Sequence, residues 1–249
     1  MDIKASVENL NIIFKPMKSN PLVYFLKEGD GVYIKTIDPW HVELMKISIP
    51  MDVSNISLSN VPDGKFIYAI PLKHLLNPLS YFPDNQNVIL SFEQDKLSMK
   101  VDNSYTRNIN YHSVQDIVND PVLSDIAIQK IHVNATDLIK GVNLTKDLTD
   151  RITFRLNKTD FSIMSESVET GIRSVYQIED VELSHITRTV ASSFDPTYLL
   201  DILPFIKGDV LIFLGNDYPI QLMGTLKNEL PFKAFIAPRI DTPKKETNS

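Results

Sequence analysis

Four times along the chain, apolar residues recur at i, i+3, i+4 and i+7 with polar residues between them. Leu10, Ile13, Phe14 and Met17 form the first set, and Leu72, Leu75, Leu76 and Leu79 the second. Ala135, Leu138, Ile139 and Val142 follow, then Leu199, Ile202, Leu203 and Ile206. Each set is the stripe of a helix with one buried face. A strand precedes each stripe and a hairpin follows it. Val23 to Lys27 pairs with Val32 to Thr36 across a turn holding two glycines, and Val88 to Phe92 pairs with Leu97 to Val101. Leu97, Met99 and Val101 alternate with Lys96, Ser98 and Lys100, so one face of that sheet is wet. Arg151 to Leu156 and Phe161 to Met164 make the third hairpin, and Val210 to Leu214 with Tyr218 to Met223 the fourth. Phe232 to Ala237 adds a last strand.

The unit is therefore strand, short helix, hairpin, used four times, and a chain built from copies tends to present a symmetric surface. Helix starts are marked by Pro71, by Asn134 as a cap, and by Asp195 followed by Pro196. Pro16, Pro78 and Pro204 fall inside the periodic stretches and predict helices that are short or bent there. His112 to Ile126 carries charges and Pro121 with little period, as expected of a connector laid over the surface. The fold class is α+β, with halves at 1–111 and 127–240, a connector at 112–126, and a polar tail at 241–249.

Composition narrows the chemistry. Of 249 residues, 43% are hydrophobic and 22% charged, with no apolar run of membrane-spanning length and no charged-then-apolar leader, which predicts a soluble intracellular protein. The absence of cysteine removes disulfides, thiolate metal sites and cysteine nucleophiles together. A net charge of −6 argues against a uniformly basic nucleic-acid coat, though not against cations gathered on one face. The five histidines make no His-x-x-x-His pair, and neither a phosphate loop nor a GxSxG elbow occurs. No catalytic residue, metal site or cofactor is expected.

Two segments carry a resemblance. Glu28 to Pro50 reads EGDGVYIKTIDPWHVELMKISIP: an acidic-glycine turn, a strand, an Asp-containing turn, then His-Val and a strand ending in proline. Near the other end stand GNDYPIQL at 215–222 and FIAPRI at 235–240. With the fourfold unit, these resemble the DNA polymerase sliding clamps of the proliferating cell nuclear antigen (PCNA) family, archaeal type, over nearly the whole chain to Ile240. The resemblance implies two similar clamp domains with sheets outside and helices on the inner face. Three such chains, identical or siblings, would close a ring around duplex DNA and tether polymerase, flap nuclease and ligase, with a clamp loader as a further partner. The alternative is a clamp-fold scaffold or regulatory subunit that does not itself close around DNA.

Carried onto this sequence, the resemblance implies three sets of residues. Lys15, Lys18, Lys73, Lys140, Lys146 and Lys207 would face the hole and touch phosphates without reading bases. Each alone is equally an ordinary solvated lysine. Ile37, His41, Val42, Leu44, Pro219, Phe235, Ala237 and Pro238, covered by Val122 and Leu123, would line a groove for the short peptide motifs of partners. Apart from the motif match, most of these are plain strand residues. Tyr105, Ile109, Tyr111, Ile172 and Tyr176 would lie at the subunit joints, or else pack within their own sheets.

Overall fold

The computed structural model describes residues 1–40, 42–50, 52–53, 55–93, 95–114, 120 and 128–240. The chain opens with β1 (Asp2–Ser6), α1 (Val7–Phe14), a 3-10 turn (Lys15–Met17), β2 (Leu22–Glu28) and β3 (Gly31–Ile37). β4 (Glu43–Ile49), β5 (Asp52–Val53) and β6 (Ile56–Ser59) follow. The second unit is β7 (Ile67–Pro71), α2 (Lys73–Leu79), β8 (Asn87–Phe92) and β9 (Lys96–Val101), extended by β10 (Tyr105–Asn110) and β11 (His112–Ser113). The third unit runs through β12 (Gln129–Asn134), α3 (Ala135–Thr145), β13 (Ile152–Leu156), β14 (Phe161–Glu166) and β15 (Arg173–Ile178). The fourth runs through β16 (Val190–Phe194), α4 (Pro196–Ile202), a 3-10 turn (Leu203–Phe205), β17 (Asp209–Leu214) and β18 (Ile220–Thr225), and β19 (Pro231–Ile236) closes the described chain.

The two units of each half interlock by exchanging their leading strands. β1 pairs with β8 of the second unit while β7 pairs with β2 of the first. In the other half β12 pairs with β17 and β16 pairs with β13. This reciprocal pairing ties the two units of each half together, because each leading strand has a ladder partner in the other unit.

Caps fix where three helices begin. Ser6 Oγ accepts from Asn9 N at 3.2 Å, Asn134 Oδ1 from Thr136 N at 2.9 Å, and Asp195 Oδ1 from Thr197 N at 2.9 Å. The expected start of α2 at Pro71 is corrected. Pro71 ends β7 opposite Leu22, Leu72 takes the cap position without a side-chain bond, and the helix begins at Lys73. Proline gives up its N–H as cheaply at the end of a ladder as in a first helical turn. Pro16 and Pro204 lie in the 3-10 turns that finish α1 and α4, and Pro78 stands next to last in α2. The prolines thus shorten the helices rather than kink them.

Three sheets result: a six-stranded one led by the β10 edge, a four-stranded one led by the β15 edge, and a nine-stranded one that crosses both halves. In the last, β4 pairs with β19 from Phe232 opposite Ile47 to Ile236 opposite Glu43. Around this seam Asp201 of α4 accepts from Lys18 Nζ at 2.9 Å and from Ser19 Oγ, and Asn228 Nδ2 donates to Asn9 O at 3.2 Å. The helices form a layer over the sheets: α1 packs on α2, the turn after α1 on α4, and α4 on α3.

Gly141 lets α3 lie close to the four-stranded sheet. A Cβ there would stand 2.7 Å from the Tyr176 ring and 2.8 Å from Ile163 Cδ1. Gly141→Val should therefore lower stability by about 2 kcal/mol through overpacking, read as a fall in the thermal unfolding midpoint. Gly141→Ala should cost less, because its better helix propensity offsets about 1 kcal/mol.

Candidate functional site

Alternation along β3, β4 and β19 sorts the nine-stranded sheet into two faces. Ile34, Met45, Ile47, Ala234 and Ile236 enter the core beneath the helices. Ile37, Leu44 and Phe235 stand side by side on the outer face, because Ile37 lies opposite Leu44 and Leu44 opposite Phe235. Leu44 and Phe235 are 6% and 3% exposed. Val42 continues the row, its carbonyl accepting from Ala237 N at 2.7 Å. Pro219 comes just before β18, and Ala237 with Pro238 just after β19, so all three reach the same end of the sheet. The structure thus brings Ile37, Val42, Leu44, Pro219, Phe235, Ala237 and Pro238 together; His41, Val122 and Leu123 lie outside the described residues.

The turn that carries the row is set by Asp38. Its carboxylate accepts from Trp40 N at 3.1 Å and Val42 N at 3.3 Å, and its own N–H donates to Glu43 O at 2.9 Å. This Asx turn leaves Trp40 84% exposed at the margin of the row. At the other margin Arg239 pairs with Asp150 and with Asp195, the latter at 2.6 Å. Partial burial pushes the Asp195 carboxyl up, but the Thr197 N–H and the Arg239 guanidinium hold it below the usual carboxylate range.

On the helix layer, Lys15, Lys73 and Lys140 are exposed and Lys146 is half-buried. Lys18 and Lys207 are exposed but paired, with Asp201 and Glu229 respectively. Lys140 leans over the Tyr176 ring at 5.4 Å. Lys18, Lys73 and His74 share an open cleft of about 690 Å³ at the junction of the first two units. The layer carries positive charge, diluted by its own carboxylates.

The sheet edges hold the third set. β10 and β15 are edge strands. Tyr105 is half-buried against Phe82 at 5.4 Å, and Ile172 is 54% exposed. Tyr176 packs over Gly141. Ile109 and Tyr111 turn into their own half: Tyr111 stacks near Tyr68 at 4.6 Å, and its hydroxyl donates to Glu93 O. Burial pushes that phenol well above the ordinary tyrosine range. Three exposed apolar residues beside these edges went unnoticed in sequence: Tyr81 at 84%, Leu144 at 57% and Val175 at 52%. They lie at helix ends and on an edge strand, where periodicity says nothing of exposure.

Comparison with solved structures gives this architecture a name. PCNA of A. fulgidus, solved with the C-terminal region of FEN-1, superposes with a TM-score of 0.80 over 97% of this chain and 99% of its own, at 18% identity. The chain has the DNA clamp fold. A PCNA2–PCNA3 complex from Sulfolobus tokodaii contains a chain with a TM-score of 0.76, covering 96% of this chain and 99% of that one at 18% identity. In sequence, the chain is similar to the DNA polymerase sliding clamp of Thermoplasma volcanium, 22% identical over 80% of each chain. It is also similar to that of Pyrococcus horikoshii, 23% identical over 85% of this chain and 86% of the relative. No family model matches. No helix of the chain, among the described residues, is long and apolar enough to cross a membrane.

Proposed function

We propose that this chain is a subunit of a trimeric DNA sliding clamp, a processivity factor that encircles duplex DNA and tethers replication and repair enzymes by short peptide motifs. It works at DNA inside the cell and has no chemistry of its own; its effect is topological, converting a partner that would leave the template into one held at high effective concentration. The observation that carries the reading is that β10 and β15, one in each half of a chain with the clamp fold, are six-residue antiparallel strands at sheet edges, each with one open side among the described residues. Edges of this kind are an aggregation hazard unless a partner strand covers them. Pairing β10 of one protomer with β15 of the next generates a closed ring of like interfaces.

The helix layer then lines the hole, where Lys15, Lys73, Lys140 and Lys146 contact phosphates and Lys18 and Lys207 add cations already shared with carboxylates. The outer row from Ile37 to Pro238 receives the apolar anchors of a partner peptide. That a PCNA was solved with the C-terminal region of FEN-1 supports the peptide contact, and that two PCNA chains were solved together supports the joint between protomers.

Light scattering of the chain alone, and mixed with any sibling clamp chains of its source, tests the ring. A mass of three protomers is expected in one of these mixtures, and a monomer in all of them overturns it. The ring, once loaded, should stay on closed circular DNA and slide off when that DNA is linearised. A ring that releases both forms alike would instead favour a scaffold that does not encircle.

A further inference from the structure

One residue pair along the strands from the apolar row lies a second row of a different chemistry. Lys35 of β3 stands opposite Lys46 of β4, and Lys46 opposite Lys233 of β19. Three ammonium groups thus cross the seam between the halves on the outer face, in line and about 7 Å from Ile37, Leu44 and Phe235. Like charges directly opposite one another destabilise a sheet unless anions separate them. Two of them lie among the described residues. Asp120, in the connector, meets Lys35 Nζ at 2.9 Å and Lys46 Nζ at 3.8 Å; Glu28 meets Lys46 Nζ at 2.6 Å. Burial pushes the Asp120 carboxyl up, but Lys35, then Lys46 and Lys233, hold it below the usual range.

Among the described residues the row sets three cations against two carboxylates. Lys233 pairs with no carboxylate among the described residues and rests over the Phe235 ring, at 5.3 Å from its centre. Its ammonium therefore sits beside the groove's own aromatic. Asp120 shows by example what the row accepts: a carboxylate brought in from above the sheet.

We infer that the Lys35–Lys46–Lys233 row is an anion-docking strip for partner peptides, selecting segments that carry an acidic residue on the flank of their apolar anchors. The inference rests on the peptide groove proposed above. Lys35 is committed to Asp120 and Lys46 to Glu28, so Lys233 is the selecting cation. It is half-buried at the flank of the row, where a charge acts chiefly on association rate and salt dependence.

The test uses the full chain and two fluorescent peptides with the same aliphatic and paired aromatic anchors, one flanked by Asp-Glu and the other by Asn-Gln. The acidic peptide should bind the unaltered clamp roughly 3–10-fold more tightly at about 0.05 M salt, and the advantage should shrink at about 0.5 M. In the variant Lys233→Gln the two peptides should bind alike, with circular dichroism unchanged as a control for folding. Equal binding of both peptides to the unaltered clamp overturns the strip and leaves the groove standing. Failure of both peptides to bind overturns the groove, and the strip with it.

Discussion

Leu144→Lys combined with Ile172→Lys should convert the assembled ring into free protomers. Both side chains are more than half exposed in the single chain, so the substitutions remove no core packing and should leave the unfolding midpoint nearly unchanged. Ser174 Oγ donates to Leu144 O at 3.1 Å, which fixes the end of α3 beside β15, and Ile172 leads directly into that strand. On the helix side of the opposite edge stand Tyr81, Phe82 and Tyr105, with Arg107 donating to His74 Nδ1 at 3.0 Å. Two new ammonium groups would lose apolar burial at the joint and face the Arg107 guanidinium across it. Truncating such anchors costs about 3 kcal/mol, equivalent to more than roughly a hundredfold in affinity. Light scattering at micromolar concentration should show the mass fall to one protomer while circular dichroism stays the same. A ring that persists at full mass would mean that the joint lies elsewhere.

Much of this architecture is legible in the sequence, because it is local. The stripes at Leu10, Leu72, Ala135 and Leu199 each report one amphipathic helix, and the alternation from Lys96 to Val101 reports a half-wet strand. The apolar row could be assembled only through the family resemblance, since Leu44 and Phe235 meet across the whole length of the chain. What periodicity could not reach is non-local. Nothing in the run around Lys35 foretells Lys46 and Lys233 as neighbours. Tyr111 reads as an edge aromatic until the Tyr68 and Phe92 rings are seen closing over it. Glu43 is the sharpest case: in sequence it is one more polar residue between Val42 and Leu44, yet it points to the core side of the seam.

Raising the pH from about 6 to 9 should weaken the folded chain, and Glu43→Gln should remove most of that dependence. Glu43 is 1% exposed, and burial pushes its carboxyl from the usual 4.5 to about 8. Asn20 Nδ2 donates to its Oε2 at 3.0 Å, which opposes the shift, while Asp201 and Asp38 nearby reinforce it. Asp201 is itself held by Lys18 and Ser19, so little positive charge is left for Glu43. Burial raises the phenol of Tyr198 in α4, and Asp38, Asp195 and Glu43 reinforce that shift. In the folded chain the carboxyl is thus neutral at pH 6, whereas in the unfolded chain it is ionised. Between the unfolded and folded values the native state holds the extra proton, so stability falls by about 1.4 kcal/mol per pH unit and levels off above pH 8. The loss is concentrated where Glu43 meets Ile236 across β4 and β19, so the seam between halves should loosen first. Glutamine keeps the shape and still accepts from Asn20 but cannot ionise. Urea midpoints measured across this range should slope downward for the unaltered chain and run nearly flat for the variant. Parallel slopes would assign the dependence to other groups.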